Sequence, residues 1–92
     1  MLYQVNFTQY AFEILPELHP DIKKMIKEAL KELKKNPYLG KDLQKELAGY
    51  QSYSFKRYRI IYKTNIQGKT IMVYFIGHRR NVYELFTEIV SQ

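Results

Sequence analysis

The sequence predicts an α+β domain in which a helical pair covers one face of a small, mainly antiparallel sheet, in the order β-α-α-β-β-β-α. Residues 21–36 repeat apolar side chains at spacings of three and four, the period of a helix with one buried face. Residues 52–63 alternate apolar and polar side chains, as half-buried strands do. Residues 69–76 are apolar on both faces, which is typical of a strand inside a sheet. We expect residues 1–92 to form a single domain.

The first half of the chain predicts one strand and the two helices. Residues 2–7 partly alternate and predict the first strand. Residues 9–18 predict a short helix, and Pro16 is expected to kink or break it because proline lacks an amide hydrogen and crowds the preceding turn. The second helix over residues 21–36 is expected to end before Pro37.

The second half predicts three strands and a final helix. Residues 38–49 predict a connector containing one turn of helix. Strands are expected over residues 52–56, 58–63 and 69–76, and their closeness along the chain favours antiparallel pairing. Residues 81–90 have apolar side chains at helical spacing and predict the last helix.

The charge balance indicates which classes of partner this domain is suited to bind. Lysine and arginine number 15 against 9 acidic residues, a net charge of +6, which favours an anionic partner such as nucleic acid. A surface coated with lysine explains the same charge. The absence of cysteine excludes disulfides and thiolate metal sites and indicates a reducing compartment. No run is long and apolar enough to predict a signal peptide or a membrane span, so we expect a cytoplasmic protein without membrane contact.

The arginines are more selectively placed than the lysines. All of them lie in the second half of the chain: Arg57, Arg59, Arg79 and Arg80. Arg59 stands in the middle of a predicted strand, on the face that the helical pair leaves open, where its planar guanidinium suits a phosphate. The alternative is that Arg59 pairs with a carboxylate such as Glu84 or Glu88, or faces water.

A second group of polar residues, IGHRRNVY at 76–83, follows the apolar strand. Arg79 and Tyr83 would share one side of the last helix if that helix has already begun. Amide groups at a helix start would add affinity for anions. His78 has a side chain that titrates near neutrality, although a hydrogen-bonded turn residue is an equal interpretation. For Arg80 the alternative is plain solvent exposure.

Two segments of the chain, LAGYQSYSFKRYRIIY at 47–62 and IGHRRNVY at 76–83, resemble the RelE/ParE superfamily of type II toxins, and most closely its RelE-like branch. The resemblance spans nearly the whole chain and implies a RelE-like microbial RNase-type fold. It also implies an endoribonuclease, an mRNA interferase, that cuts mRNA in the A site of a 70S-type ribosome. The reaction needs neither metal nor cofactor, since a 2′-hydroxyl attacks the adjacent phosphate. The partner implied is a cognate antitoxin.

The resemblance also assigns roles by position. Arg59 matches the strand arginine that stabilises the phosphate, and Arg79 matches a second cation near the leaving oxygen. Tyr83 matches the tyrosine that stacks on or orients the nucleotide. His78 occupies a position that is histidine or lysine in relatives and is a candidate general base. Further cations are expected to bind the substrate: Lys45, Lys56, Arg57 and Arg80.

The chain departs from the family pattern on one strand. Ser52 and Ser54 stand where some relatives carry lysine. If those lysines supply the base, this chain must use Lys56, Lys45 or His78 instead, or cleave more weakly. Two other functions therefore stay open: a ParE-like toxin that inhibits DNA gyrase by binding it, and a non-catalytic, RNA-binding relative.

Overall fold

The computed structural model describes residues 2–91, and over this range it is an α+β fold built on a mostly antiparallel sheet. The strands are β1 Gln4–Phe7, β2 Lys41–Asp42, β3 Gln51–Phe55, β4 Tyr58–Asn65 and β5 Thr70–His78. The helices are α1 Gln9–Ile14, α2 Pro20–Lys35 and α3 Val82–Val90. Short 3₁₀ turns follow as Leu15–Glu17, Pro37–Leu39 and Lys45–Leu47. The predicted fold class and the predicted elements are confirmed.

The sheet has the strand order β1-β5-β4-β3-β2. The β1 and β5 strands run parallel, with Gln4 opposite Thr70, and the other neighbours are antiparallel. The β5 strand has a neighbour on each side, as its apolar pattern predicts. The β2 strand, Lys41–Asp42, was not predicted, because two residues are too few to show an alternating pattern.

The helix ends follow local chemistry. The α1 helix begins after Thr8, whose Oγ1 accepts a hydrogen bond from the Ala11 amide at 3.2 Å, and gives way to a 3₁₀ turn that contains Pro16, as predicted. The α2 helix begins after His19, whose Nδ1 accepts from the Asp21 amide at 3.1 Å. Within residues 2–91, no helix has the length and apolar character needed to cross a bilayer.

Apolar side chains bury the two sides of the sheet in separate clusters. We call one side the α2 face; its buried residues are Ala11, Ile26, Ala29, Leu33, Ile60, Tyr62, Ile71, Val73 and Ile76. We call the other side the α3 face; its buried residues are Leu47, Ile61, Phe75, Val82 and Phe86. The predicted alternation along β4 is confirmed, because Ile60 and Ile61 belong to opposite faces. The α1 helix reaches both clusters, since Tyr10 stacks on Phe75 with ring centroids 5.8 Å apart.

The end of β5 differs from the prediction. The strand continues through His78, two residues past the predicted end at residue 76, and α3 begins only at Val82. His78 lies opposite Tyr58 in the β4–β5 ladder, and the two rings meet edge to face at 5.5 Å. Arg79 therefore precedes α3, and the expected helical pairing of Arg79 with Tyr83 does not arise.

Candidate functional site

Three elements meet at the guanidinium of Arg59. Its Nη1 donates hydrogen bonds to the Ser54 Oγ at 2.7 Å and to the Tyr83 hydroxyl at 3.1 Å. The Tyr83 hydroxyl in turn donates to the Oγ of Ser52 at 3.0 Å. The β3–β4 ladder sets Ser54 directly opposite Arg59, and the first turn of α3 supplies Tyr83. The guanidinium is thus held by hydroxyl groups from both sides.

A second cation lies at the same tyrosine. The Arg59 Cζ is 5.4 Å and the Lys41 Nζ is 5.8 Å from the centroid of the Tyr83 ring. Lys41 reaches the ring because β2 pairs it with Ser52, which puts its side chain on the α3 face. We refer to Lys41, Ser52, Ser54, Arg59 and Tyr83 as the Arg59 site.

The positive charge of this site is not neutralised within residues 2–91. The ion pairs in this range lie on α2 and its N-terminal cap, so the alternative pairing of Arg59 with Glu84 or Glu88 does not form. The Arg59 Nε is buried and has no hydrogen-bond acceptor. A buried donor without an acceptor costs about 1–3 kcal/mol. Separately, the guanidinium charge without a carboxylate partner in this range suits an anion with oxygen acceptors.

More cations collect where the β3–β4 turn meets the segment after β5. The Arg79 amide donates to the Arg57 carbonyl at 2.7 Å, which continues the sheet ladder by one bond. All four side chains here are exposed, and we call them the turn cluster: Lys56, Arg57, Arg79 and Arg80. The structure therefore brings four of the predicted residues together at the end of the sheet that carries Arg59.

Two predicted residues lie apart from the Arg59 site. His78 projects from the α2 face, and its Nδ1 accepts a hydrogen bond from the Arg80 amide at 3.2 Å, so Nε2 is its remaining nitrogen. Lys45 is exposed in its 3₁₀ turn. Within residues 2–91 neither side chain makes a hydrogen bond, ion pair or ring contact with Arg59 or Tyr83. Their roles as base and substrate-binding cation stay predictions.

Lys41 was not predicted as a site residue, because β2 has only two residues and cannot be recognised from its own pattern. Ser52 and Ser54 lie on the Arg59 side of the sheet, since Ser54 is opposite Arg59 in the β3–β4 ladder, whereas the sequence indicated only that serine stands where some relatives carry lysine. In the structure the two hydroxyls bind Tyr83 and Arg59. Across residues 2–91, no cluster of three or more histidine and acidic side chains is arranged to hold a metal ion.

The position of β2 depends on a buried tyrosine on the α2 face. The Tyr62 hydroxyl donates to the Pro37 carbonyl at 2.8 Å and accepts from the Gly40 amide at 3.1 Å. Burial raises the pKa of Tyr62 to about 12, with the nearby charge of Asp42 contributing in the same direction. Gly40, the residue before Lys41, is therefore held in place by the neutral, buried hydroxyl of Tyr62.

Comparisons with known proteins extend this picture. Residues 5–83 match the family model described as the ParE toxin of the type II toxin–antitoxin system parDE. The chain is similar to toxin RelG of Mycobacterium tuberculosis, with 34% identity over 85 residues that cover 90% of this chain and 98% of RelG.

Solved structures show the same architecture. The RelBE2 toxin–antitoxin complex of Mycobacterium tuberculosis contains a chain that is 33% identical, with a TM-score of 0.80 and coverage of 86% of this chain and 100% of that one. The free Escherichia coli toxin RelE, in an arginine-to-alanine double mutant, has a TM-score of 0.78 at 18% identity, covering 99% of this chain and 97% of that one; it supports the fold alone. By its sequence, its fold and these relatives, the chain belongs to the ParE toxin family of type II toxin–antitoxin systems, within the RelE/ParE superfamily.

Proposed function

We propose that this toxin is a ribosome-dependent endoribonuclease that cleaves mRNA in the A site without a metal ion. The observation that carries the proposal is the Arg59 guanidinium, which is fixed by the hydroxyls of Ser54 and Tyr83 and has no carboxylate partner among residues 2–91. A cation held in place before substrate arrives is what stabilisation of a charged transition state requires. The likeness to toxin RelG supports the same assignment.

The proposed reaction is an internal transesterification of RNA. The 2′-oxygen attacks the adjacent phosphorus while a base takes its proton. The bond from phosphorus to the 5′-oxygen then breaks, and that oxygen receives a proton from an acid. The products are a 2′,3′-cyclic phosphate and a 5′-hydroxyl. Negative charge grows on the non-bridging oxygens in between, so cations at the phosphate lower the barrier.

Each part of this reaction is assigned to particular residues of the chain. Arg59 stabilises the developing negative charge, and the Tyr83 hydroxyl keeps the guanidinium in place through its bonds to Arg59 and Ser52. Arg79 supplies a second cation at the end of the sheet, and the rest of the turn cluster binds the RNA backbone. His78 is a candidate general base, with Nε2 as the nitrogen available to it, but it projects from the face of the sheet opposite Arg59, so a His78 variant is needed to decide its role.

The test is mRNA cleavage on programmed ribosomes, mapped by primer extension. The parent is compared with Arg59→Ala and Arg79→Ala, and with Lys31→Ala as the control, since Lys31 is exposed on α2 behind the sheet. Loss of a well-placed charge-stabilising group lowers the rate by about 10²–10³-fold, and we expect this loss for both arginine variants. The Lys31 variant should cut like the parent.

Two results would overturn the assignment. A folded parent that produces no A-site cuts would show that it is not this nuclease. An Arg59→Ala variant that cuts at the parent's rate would show that the catalytic site lies elsewhere.

A second function, inhibition of DNA gyrase by binding, is favoured by two observations. The matching family model is that of a ParE toxin, and Ser52 and Ser54 replace the lysines that some RelE relatives carry. A supercoiling assay separates the two functions, because a ParE-like toxin inhibits gyrase and leaves mRNA on ribosomes intact. Ribosome binding with neither effect would identify a non-catalytic, RNA-binding relative.

We also infer a cognate antitoxin as partner. The similar structures include the RelBE2 complex and the intact Escherichia coli RelBE complex, each of a toxin with its antitoxin. On this chain, Arg59 and Arg79 offer positive charge that the described residues do not balance, so an acidic segment of the antitoxin would be attracted to them.

A further inference from the structure

We propose that Lys41 is a third cation of the Arg59 site and binds an RNA phosphate beside the one at Arg59. The inference rests on the proposed RNA substrate and adds a substrate-binding residue on β2. It begins from the Lys41 Nζ, which lies 5.8 Å from the centroid of the Tyr83 ring, on the ring that also contacts Arg59.

The direction of Lys41 follows from the ladder. Lys41 pairs with Ser52, whose hydroxyl is bonded to Tyr83, so both side chains lie on the α3 face. The next residue, Asp42, alternates to the α2 face, where its charge acts on the Tyr62 hydroxyl. The carboxylate closest to Lys41 in sequence therefore faces away from it.

A contact with the tyrosine ring does not by itself account for this arrangement. An exposed cation–π contact contributes only about 0.5–1 kcal/mol. Here two cations share one ring, and Lys41 and Arg59 repel each other with no acidic side chain paired to either within residues 2–91. An anion placed between them would attract both cations and offset their mutual repulsion.

Hydrogen bonds outside the β2–β3 ladder also hold the backbone on both sides of Lys41. The Leu43 amide donates to the Tyr50 carbonyl at 2.9 Å on one side, and the Gly40 amide donates to the Tyr62 hydroxyl on the other. Both bonds fix the backbone next to Lys41, whose side chain is exposed. Support of this kind is expected where a functional group must be positioned.

A phosphodiester of single-stranded RNA is the anion that fits. Lysine presents a compact charge with donors in several directions, which suits binding to a phosphate without a fixed orientation. In that role arginine should substitute for Lys41, whereas methionine should not, although methionine keeps the length and the apolar stem of the side chain.

The direct test is binding of a non-cleavable RNA, a short oligonucleotide with 2′-O-methyl groups, measured by fluorescence anisotropy over a range of salt. The variants are Lys41→Met, Lys41→Arg and the matched control Lys31→Met on α2. Each phosphate contact on a single strand contributes about 0.7 to the slope of log K against log salt. We expect Lys41→Met to lose about that amount, and Lys41→Arg and Lys31→Met to keep the parent's slope. Equal slopes for Lys41→Met and Lys31→Met would overturn the proposal.

Cleavage on programmed ribosomes provides the second measurement. We expect Lys41→Met to cut roughly 10-fold more slowly at subsaturating ribosomes and Lys41→Arg to recover most of the rate. Lys41→Met that cuts like the parent would also overturn the proposal. If the parent itself does not cut, the proposed nuclease fails, and the salt slope alone then decides whether Lys41 binds RNA. Because Lys41 is exposed, both variants should keep the parent's melting temperature.

Discussion

At the scale of single residues, the arrangement around Arg59 shows how a charged group can be fixed without a counter-charge from residues 2–91. Hydroxyls of Ser54 and Tyr83 satisfy part of the guanidinium, and they do so without cancelling its charge. A carboxylate in their place would hold the side chain equally well but would compete with a phosphate. The replacement of lysine by Ser52 and Ser54 is therefore compatible with a working anion site.

A variant of His78 tests which face of the sheet takes part in the proposed RNA cleavage. Arg59 and His78 project from opposite faces, because Arg59 is paired with Gly77 and His78 is the next residue along β5. We therefore expect His78→Gln to lose less cleavage than Arg59→Ala when both are measured on programmed ribosomes across pH 5.5–8.5, a range around the usual histidine pKa of about 6.5.

Glutamine is the suitable replacement because its side chain can still accept a hydrogen bond from the Arg80 amide. A loss as large as that of Arg59→Ala, together with disappearance of the acidic limb of the pH profile, would establish His78 as the general base.

At the scale of elements, much of the sheet was predictable and its edge was not. The alternation in β3 and β4 correctly indicated which residues share a face, since a period of two leaves little freedom once one face is buried. The β2 strand could not be predicted, since it is defined by its pairing with β3 and by the Tyr62 hydroxyl rather than by its own sequence. In the turn before β5, the residue with a left-handed backbone is Lys69, at φ 53°, and not the neighbouring Gly68.

The Tyr62 anchor predicts a specific loss of stability in alkaline solution. The pKa of Tyr62 is raised from 10.0 to about 12 in the folded chain. Below pH 10 both states hold the proton, and this group then contributes no pH dependence. Between pH 10 and 12 the unfolded chain binds fewer protons than the folded one, so the free energy of unfolding falls as pH rises, by about 1.4 kcal/mol per unit.

Urea unfolding at pH 9 and pH 11 measures this loss, with Tyr62→Phe as the control that has no such proton. The parent should lose about 1.4 kcal/mol more than Tyr62→Phe between the two conditions. Equal losses would mean that Tyr62 is accessible to solvent in the folded protein. At pH 9 the variant should already be about 1 kcal/mol less stable, since Gly40 and Pro37 lose a partner.

At the scale of the whole molecule, the positive charges behind the net charge of +6 are unevenly distributed over the surface. Lysines on the outer side of α2 keep that helix solvated behind the sheet, while Lys41, Arg59 and the turn cluster collect on or beside the α3 face. Composition alone predicted an anionic partner but could not separate these two populations. The separation follows from the topology, which brings β2, β4 and the start of α3 to one place.

This distribution predicts how an antitoxin would affect the toxin. A partner that binds only the folded state raises the unfolding free energy by about 2.7 kcal/mol when its concentration is 100 times the Kd. For a domain of this size we expect the melting temperature to rise by about 10–20 °C, and less in high salt because exposed charges are screened. Thermal unfolding of the toxin with and without its cognate antitoxin measures the rise in melting temperature. Repeating it at about 0.05 M and about 0.5 M salt measures how far screening reduces that rise. An increase that is independent of salt would show that the interface is not governed by the Arg59 and Arg79 surface.

The parallel pairing of β1 with β5 has a consequence for how the protein is made. Gln4 cannot find its partner until Thr70 has been synthesised, and Arg59 cannot be fixed until Tyr83 has followed. A growing chain therefore carries its cations past the ribosome that makes it while they are still unordered. The Arg59 site is assembled only when the start of the last helix is free to fold, so the order of the sequence would delay the proposed nuclease activity until most of the chain has left the ribosome.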